Sequence, residues 1–430
     1  MTSSPRASRG SPPPSHARDF GGLVHGAPAR IAHPSSAREV SLAFRSARSD
    51  ALPVAVRGAG HSQSGHTVLR EGLVIDTSRL CGVRLHEGDI LEVGGGQPWG
   101  GVIDALHGTG LTVPVLTDSA FPTVGGTLSA GGFGTASVRF GAQVGHVERL
   151  EVVTPAGDLV TCSRGAEREL FDAVRAGQGQ FGVITRAWLR LRRCPSRIRY
   201  YYLRYVDMDR LADDVERLYS DPRYGHLRLE LRPHAGDALF RVGIEYEPPG
   251  PSPIELFLGL RCVEVQFGAD ADDIGRAGLL PDDLFPRQRF YPWRDWFLPW
   301  SALRRLLARP PVPPGRLPDA PGWGGCFFIS SAHIDAPALV LPPGDRFFSY
   351  SVLPMFKRRA DALEAHARLD AADGVIRDLG GCAYLSGATG YDASGWRAHF
   401  GEARHARLVR LQRAVDPGGL LRRPGLPFCA

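Results

Sequence analysis

The stretch that most limits what this chain can fold into is 52–65, LPVAVRGAGHSQSG. Leu52, Val54 and Val56 alternate as the apolar residues of a short strand do. That strand signal runs straight into Arg57-Gly58-Ala59-Gly60-His61-Ser62, a loop punctuated by glycine. Glycine permits positive φ there and lets backbone N–H groups close on an anion. No Lys-Ser/Thr pair follows the glycines, which argues against a nucleotide-triphosphate loop, whose lysine must reach the terminal phosphates. The reading that remains is a pyrophosphate cradle carrying one imidazole, His61.

A second informative stretch is 111–134, LTVPVLTDSAFPTVGGTLSAGGFG. Its second half is dense in glycine and alanine, costly as ordinary core because glycine loses the most backbone entropy on folding. Gly125, Gly126 and Gly131 are therefore positions of close backbone approach, to a bound molecule or to a neighbouring helix. Asp118 lies in an otherwise apolar, small-residue segment, which predicts a partly desolvated carboxylate able to take a proton near neutral pH. The residue type alone also allows a cap on a helical turn after Ser119.

Around these stretches the pattern predicts a helix from Ser36 with Glu39 completing a capping box, and strands at 72–76 and 89–93. Gly94-Gly95-Gly96 reads as a turn, and a helix near Pro98 is stopped by Gly110. A hairpin at 147–162 turns at Pro155-Ala156-Gly157, a short helix covers 167–176, and an alternating strand follows at 183–191. Past Cys194-Pro195 the chain alternates strand-like runs with one helix near 207–219. The aromatic cluster at 290–300 suits core or a substrate cage, and the proline-rich 310–321 predicts a surface loop. Strands near 326–334 and 347–356, a helix at 357–379 and a last cap-and-helix pattern from Ser394 complete the chain.

Composition narrows the class. A length of 430 residues favours two domains, or three. The 52 glycines and 35 prolines are scattered through apolar segments, so they predict many tight turns and not collagen or disorder. The net charge of +6 forms no stripe: Lys357 is the single lysine, and the arginines are interspersed with acids, which argues against a nucleic-acid partner. Seven dispersed cysteines without a Cys-x-x-Cys give neither a zinc signature nor a disulfide framework, so buried free thiols are expected. Residues 1–20 are rich in Pro, Ser and Arg without an apolar core, and read as a disordered tail, not a secretory signal. No run approaches the ~18 apolar residues of a membrane span, so a cytoplasmic protein without a membrane partner is expected.

The 57–62 loop is followed in order by Thr117-Asp118 with Thr-Val-Gly-Gly-Thr-Leu-Ser at 123–129, and by Gly-Gln-Phe-Gly-Val-Ile-Thr at 179–185. Pro292-Trp293-Arg294-Asp295 with Phe297 comes next, then Trp396…His399-Phe400-Gly401…Asp416-Pro417. This ordered set resembles the FAD-binding PCMH-type (vanillyl-alcohol-oxidase-like) flavoproteins, and within them the cytokinin dehydrogenases. The resemblance implies an α+β fold of two domains. One is a discontinuous PCMH-type FAD-binding domain at 21–195 and 386–430; the other is an antiparallel-sheet substrate-binding domain at 196–385. It implies FAD bound covalently through His61 to the flavin 8α-methyl carbon. Doubly attached relatives carry a cysteine before Pro-Thr-Val-Gly; Phe121 stands there, so a single attachment is expected. Further cofactor contacts are implied for Val56, Arg57, Gly58, Ala59, Gly60, Ser62, His66, Thr117, Thr123, Gly125, Gly126, Ser129, Phe133, Ile184 and Tyr384. Asp118 takes the role of catalytic base, Trp293 and Asp295 that of substrate contacts, and no metal is implied. His399 reads as structural.

The chain departs from the family where substrate is held. Asp295 stands for a pocket asparagine and Tyr291 for a histidine before it. A carboxylate in place of an amide adds charge and favours a cationic or donor-rich ligand over a neutral purine. Arg423-Pro424-Gly425-Leu426 replaces Ser-Pro-Gly-Gln and removes a flavin-side hydrogen-bonding side chain. The expected activity is oxidation of a small molecule at a C–H next to an amine or alcohol, cytokinin-like secondary amines first. The alternatives are a tailoring oxidase of a specialised-metabolite pathway and a flavin-binding protein without turnover.

Overall fold

Short apolar runs bounded by glycine build the first sheet. The computed structural model describes residues 16–232, 236–280, 284–286, 288–312, 323–422 and 425–429. Most of the expected loop at 310–321, residues 1–15 of the expected tail and Arg423-Pro424 lie outside the described residues. Leu73–Asp76, buried along its whole length, is the centre of a three-stranded parallel sheet between Arg30–Ala32 and Val54–Arg57. Buried on both faces, such a strand reads as a continuous apolar run. The helix Ala37–Ser49 lays Val40, Phe44 and Ala47 against Val54, Leu73 and Ile75. Ser36 caps it by accepting from the Glu39 N–H, but the Glu39 carboxylate turns to the Ser35 N–H at 2.8 Å, so the capping box is displaced by one residue. The sheet delivers the carboxyl end of Val54–Arg57 to the glycine loop, the end at which parallel sheets bind ligands.

A five-stranded antiparallel sheet follows, in the order Val83–His86, Ile90–Gly94, Val183–Arg190, Val147–Val153, Leu159–Ser163. Its first strand is absent from the sequence reading. The helix Trp99–Leu106 ends at His107, short of Gly110. A small helix, Val124–Leu128, is capped by the Thr123 hydroxyl and lies on the turn at Gly95, where the Gly125 N–H donates to the Gly95 carbonyl at 2.8 Å. A Cβ at Gly95 would stand 1.9 Å from the Ile184 carbonyl oxygen. The glycine triplet is therefore both a turn and the surface that receives this helix.

Residues 197–383 supply every strand of an eight-stranded antiparallel sheet. Its order is Glu264–Ala271, Arg197–Tyr205, Asp237–Tyr246, His226–Arg232, Trp323–Ser330, Arg346–Leu353, Arg294–Pro299, Cys382–Ala383. The last helical pattern is two helices, Ala393–Phe400 and Glu402–Val415, because Gly401 takes φ 76° between them. Beyond them Leu420 and Leu421 rejoin the first sheet, and the Val54 N–H donates to the Leu420 carbonyl at 2.7 Å. All seven cysteines are free, yet only Cys162 and Cys326 are fully buried and Cys81 is exposed. No described helix is long and apolar enough to cross a membrane.

One arginine clamps these parts together. Arg175, 0% exposed, donates to Asp172 at 2.7 Å, to Asp335 at 2.9 Å and to the Val144 carbonyl at 3.1 Å. Removing one partner of a buried ion pair is destabilising, even though Arg168 still reaches Asp172 and Arg164 still reaches Asp335. Arg175→Met is expected to cost about 3 kcal/mol, seen as a lower melting temperature; an unchanged melt would show the clamp to be idle.

Candidate functional site

The glycine loop opens on a cavity of about 310 Å3. One wall is Gly58 to Ser62, the small helix from Thr123 and the Gln178–Gly182 turn with Ile184; the other is Trp293, Asp295, Ser349, Ser351, Tyr384 and Ser386. Every residue expected at the site borders this cavity except Arg57. Arg57 is buried behind the loop, where its guanidinium donates to the Thr67 hydroxyl at 2.9 Å. Gly60, at φ 79°, lies against that guanidinium, and a Cβ there would stand 2.3 Å from it. Arg57 thus braces the loop from outside the cavity. Phe121 does not border the cavity either.

His61 is held by its surroundings as a neutral imidazole. Burial, and secondarily the Arg57 charge, push it down to about 4. Its Nδ1 is buried with no hydrogen-bond partner among the described residues, and its ring stacks on Phe20 with centroids 5.1 Å apart. Phe20 corrects the expectation of a disordered 1–20 tail, since residues 16–20 are packed. The Asp19 carboxylate accepts from the N–H groups of Leu23, Val24 and Gly65, which ties this segment to the loop. His66 borders the cavity half-buried. His399, buried among Tyr391, Trp396 and Phe400, is also pushed down to about 4 by burial, in keeping with a structural role. Between pH 6.5 and 4 the unfolded chain protonates these two imidazoles while the folded chain does not. Stability of the flavin-free protein is therefore expected to fall as pH drops through that window, and thermal melts with His399→Phe should show a shallower fall.

Asp118 is not in apolar surroundings, contrary to the sequence expectation. Its carboxylate accepts from Arg228 at 2.7 Å and lies 4.0 Å from Arg241. Those arginines are directly opposed on neighbouring strands, His226–Arg232 and Asp237–Tyr246. Like charges directly across a ladder repel, and Asp118 is the anion placed between them. No helix follows Ser119, so the capping alternative is not realised. The carboxylate borders the cavity while its backbone carbonyl is held by the Leu280 N–H at 2.7 Å.

Asp295 is 3% exposed. It accepts from the Trp293 indole N–H at 2.8 Å, from the Ser386 hydroxyl and from Ser351. Burial pushes its carboxyl up despite these donors, so ionising Asp295 costs more than ionising a solvated carboxyl. Strand alternation sends the neighbouring Arg294 to the opposite face, against Asp370, Asp373 and the Ala388 carbonyl. Tyr384 accepts from the Gly132 N–H at 3.2 Å and so fixes the small-residue loop before Phe133.

The sequence reading missed Phe20, Arg228, Arg241, Ser351, Ser386 and the Gln178–Gly182 backbone. A usable signal existed for one of them: Ser349 and Ser351 recur at period two in the apolar strand Arg346–Leu353, which puts both on one face. The rim as a whole fits a flat, anionic dinucleotide. A Cβ at Gly58 would stand 2.3 Å from the Thr123 hydroxyl oxygen, so loop and helix meet only through glycine, and a neutral, unpartnered imidazole sits at their junction.

Comparisons with known proteins agree with that geometry. Residues 28–163 match the model of an FAD binding domain. An uncharacterized oxidoreductase, ORF5 of the fasciation locus in Rhodococcoides fascians, is 33% identical over 421 residues, covering 94% of this chain and 94% of that protein. Cytokinin dehydrogenase 8 of Oryza sativa subsp. indica is 39% identical over 260 residues, and there the match spans 55% of this chain and 49% of that protein. The solved structure of a xylooligosaccharide oxidase from Myceliophthora thermophila C1 superposes with a TM-score of 0.79 at 18% identity, over 96% of this chain and 94% of that one. The glycine loop, the small-residue helix and the sheet architecture thus belong together by descent: the chain is a member of the FAD-binding PCMH-type, vanillyl-alcohol-oxidase-like oxidoreductases, related to the cytokinin dehydrogenases.

Proposed function

We propose that this protein is a covalent-FAD oxidoreductase acting at the C–H beside an amine or alcohol nitrogen or oxygen of a small molecule. The observation that carries the reading is that His61 and Asp118 open on the same cavity. Residues 21–195 with 386–430 hold the cofactor, and 196–385 cover the substrate. His61, neutral and without a hydrogen-bond partner, is the point of flavin attachment, and Phe121 at the cysteine position of doubly attached relatives leaves it as the single one. When bound, FAD supplies the acceptor for the hydride that leaves the substrate carbon. Asp118 accepts the N–H or O–H proton of the same substrate, and Arg228 and Arg241 fix the direction of its carboxylate. Trp293 and Asp295 form the part of the wall that chooses the substrate.

A cytokinin-like secondary amine is the first candidate, and an intermediate of a specialised-metabolite pathway the second, favoured by the buried carboxyl at 295. The test is anaerobic mixing of the yellow holoprotein with a panel of amines and alcohols. Bleaching at 450 nm by one class supports the reading and assigns the class; a flavin that no member bleaches points to a binding protein without turnover.

A further inference from the structure

Two carboxylates border the cavity, and their surroundings differ in charge. Asp118 faces two arginines. Asp295 has three neutral donors and no cationic partner among the described residues. Trp293 and Arg294 flank it on its own strand, and Arg294 is directed to the far face. Ser351 is its register partner on the adjacent strand, while Ser386 and Tyr384 come from the segment after Cys382–Ala383. Besides Arg294, Tyr384 is the one ionisable group among these neighbours, and burial holds its phenol neutral. A buried carboxyl that opens on a cavity, without a counter-charge of its own, is costly unless a ligand supplies one. Trp293 borders the cavity beside it, with its indole N–H on the carboxylate.

We propose that Asp295 is the counter-ion for a substrate carrying a protonated nitrogen, so that the wall of Trp293, Asp295, Ser351 and Ser386 selects an alkyl- or arylammonium over a neutral molecule of the same shape. The inference rests on the oxidoreductase reading above and names its substrate class. Only the ionised carboxyl pairs with a cation and burial pushes Asp295 up, so affinity falls once pH drops low enough to protonate it.

The test uses holoprotein and two matched probes, N-methylbenzylamine, a cation at neutral pH, and benzyl methyl ether, its neutral isostere. Binding is read anaerobically from the perturbation of the flavin spectrum within the mixing time. Wild type is expected to hold the amine at least tenfold tighter than the ether. Asp295→Asn, which keeps the shape and the acceptor for the Trp293 N–H, is expected to bring the two affinities within about twofold, while Asp295→Glu retains a preference for the amine. Equal affinities in wild type, or no measurable amine binding at millimolar concentration, overturn the proposal. So does an Asn variant whose preference is intact while its flavin reduction potential has moved, because Asp295 would then serve the flavin. If the amine is preferred but neither it nor any member of the amine and alcohol panel bleaches the wild-type flavin, the pocket assignment stands and the oxidoreductase reading fails.

Discussion

Protein carrying His61→Ala, precipitated with acid and collected by centrifugation, is expected to give a colourless pellet, where the wild-type pellet stays yellow. Acid unfolds the chain and releases any flavin held only by contacts, so retained colour reports a covalent bond. The expectation follows from the imidazole's environment. An attacking nitrogen needs a free lone pair, and burial keeps His61 neutral down to about pH 4 while its Nδ1 makes no hydrogen bond among the described residues. Phe20 stacked on the ring limits its rotation. His66 is the control, since it lies in the same loop and borders the same cavity. His66→Ala should leave the pellet yellow. A colourless wild-type pellet, with flavin recovered in the supernatant, would remove the covalent assignment and leave the FAD site in place.

Asp118→Asn is expected to slow anaerobic flavin reduction by the preferred substrate by roughly 10²–10⁴-fold, the usual contribution of a positioned base. The same change has a second effect, which comes from the arginines. With the carboxylate gone, Arg228 and Arg241 oppose each other across the ladder without the anion between them. Uncompensated buried charge of this kind costs about 3–5 kcal/mol, so the variant should also melt earlier. The two effects separate by measuring reduction only on folded, flavin-loaded protein, and by Asp118→Glu, which restores the charge with a displaced oxygen. A rate loss below tenfold in the Asn variant, on folded protein, would leave Asp118 as a structural anion only.

The loop at 57–62 and the strands around it were legible because glycine spacing and two-residue alternation are local signals. Asp118 was legible as a residue but not in its surroundings. In HLRLELR, at 226–232, the arginines occupy the alternate positions of a strand with one solvated face, and nothing local reveals that Arg228 is covered by another part of the chain. Phe20 was hidden by its neighbours, since a Pro/Ser/Arg-rich segment reads as unstructured and the buried Asp19 that ties it down makes its contacts with backbone. Arg57 was misread for the opposite reason: its place beside the glycines suggested contact with the cofactor, and only the packing of Gly60 on its guanidinium shows that it supports the loop from behind. The Gly401 break fell inside a strongly helical pattern, where one glycine is tolerated often enough that periodicity alone runs through it.

The ring that roofs His61 belongs to residue 20. Whatever is fused to or clipped from the amino-terminal side of that residue therefore acts on a wall of the cavity, although it lies far from Asp118 in sequence. An affinity handle placed there, or trimming by a protease during purification, can change how firmly colour is retained before any site residue has been altered.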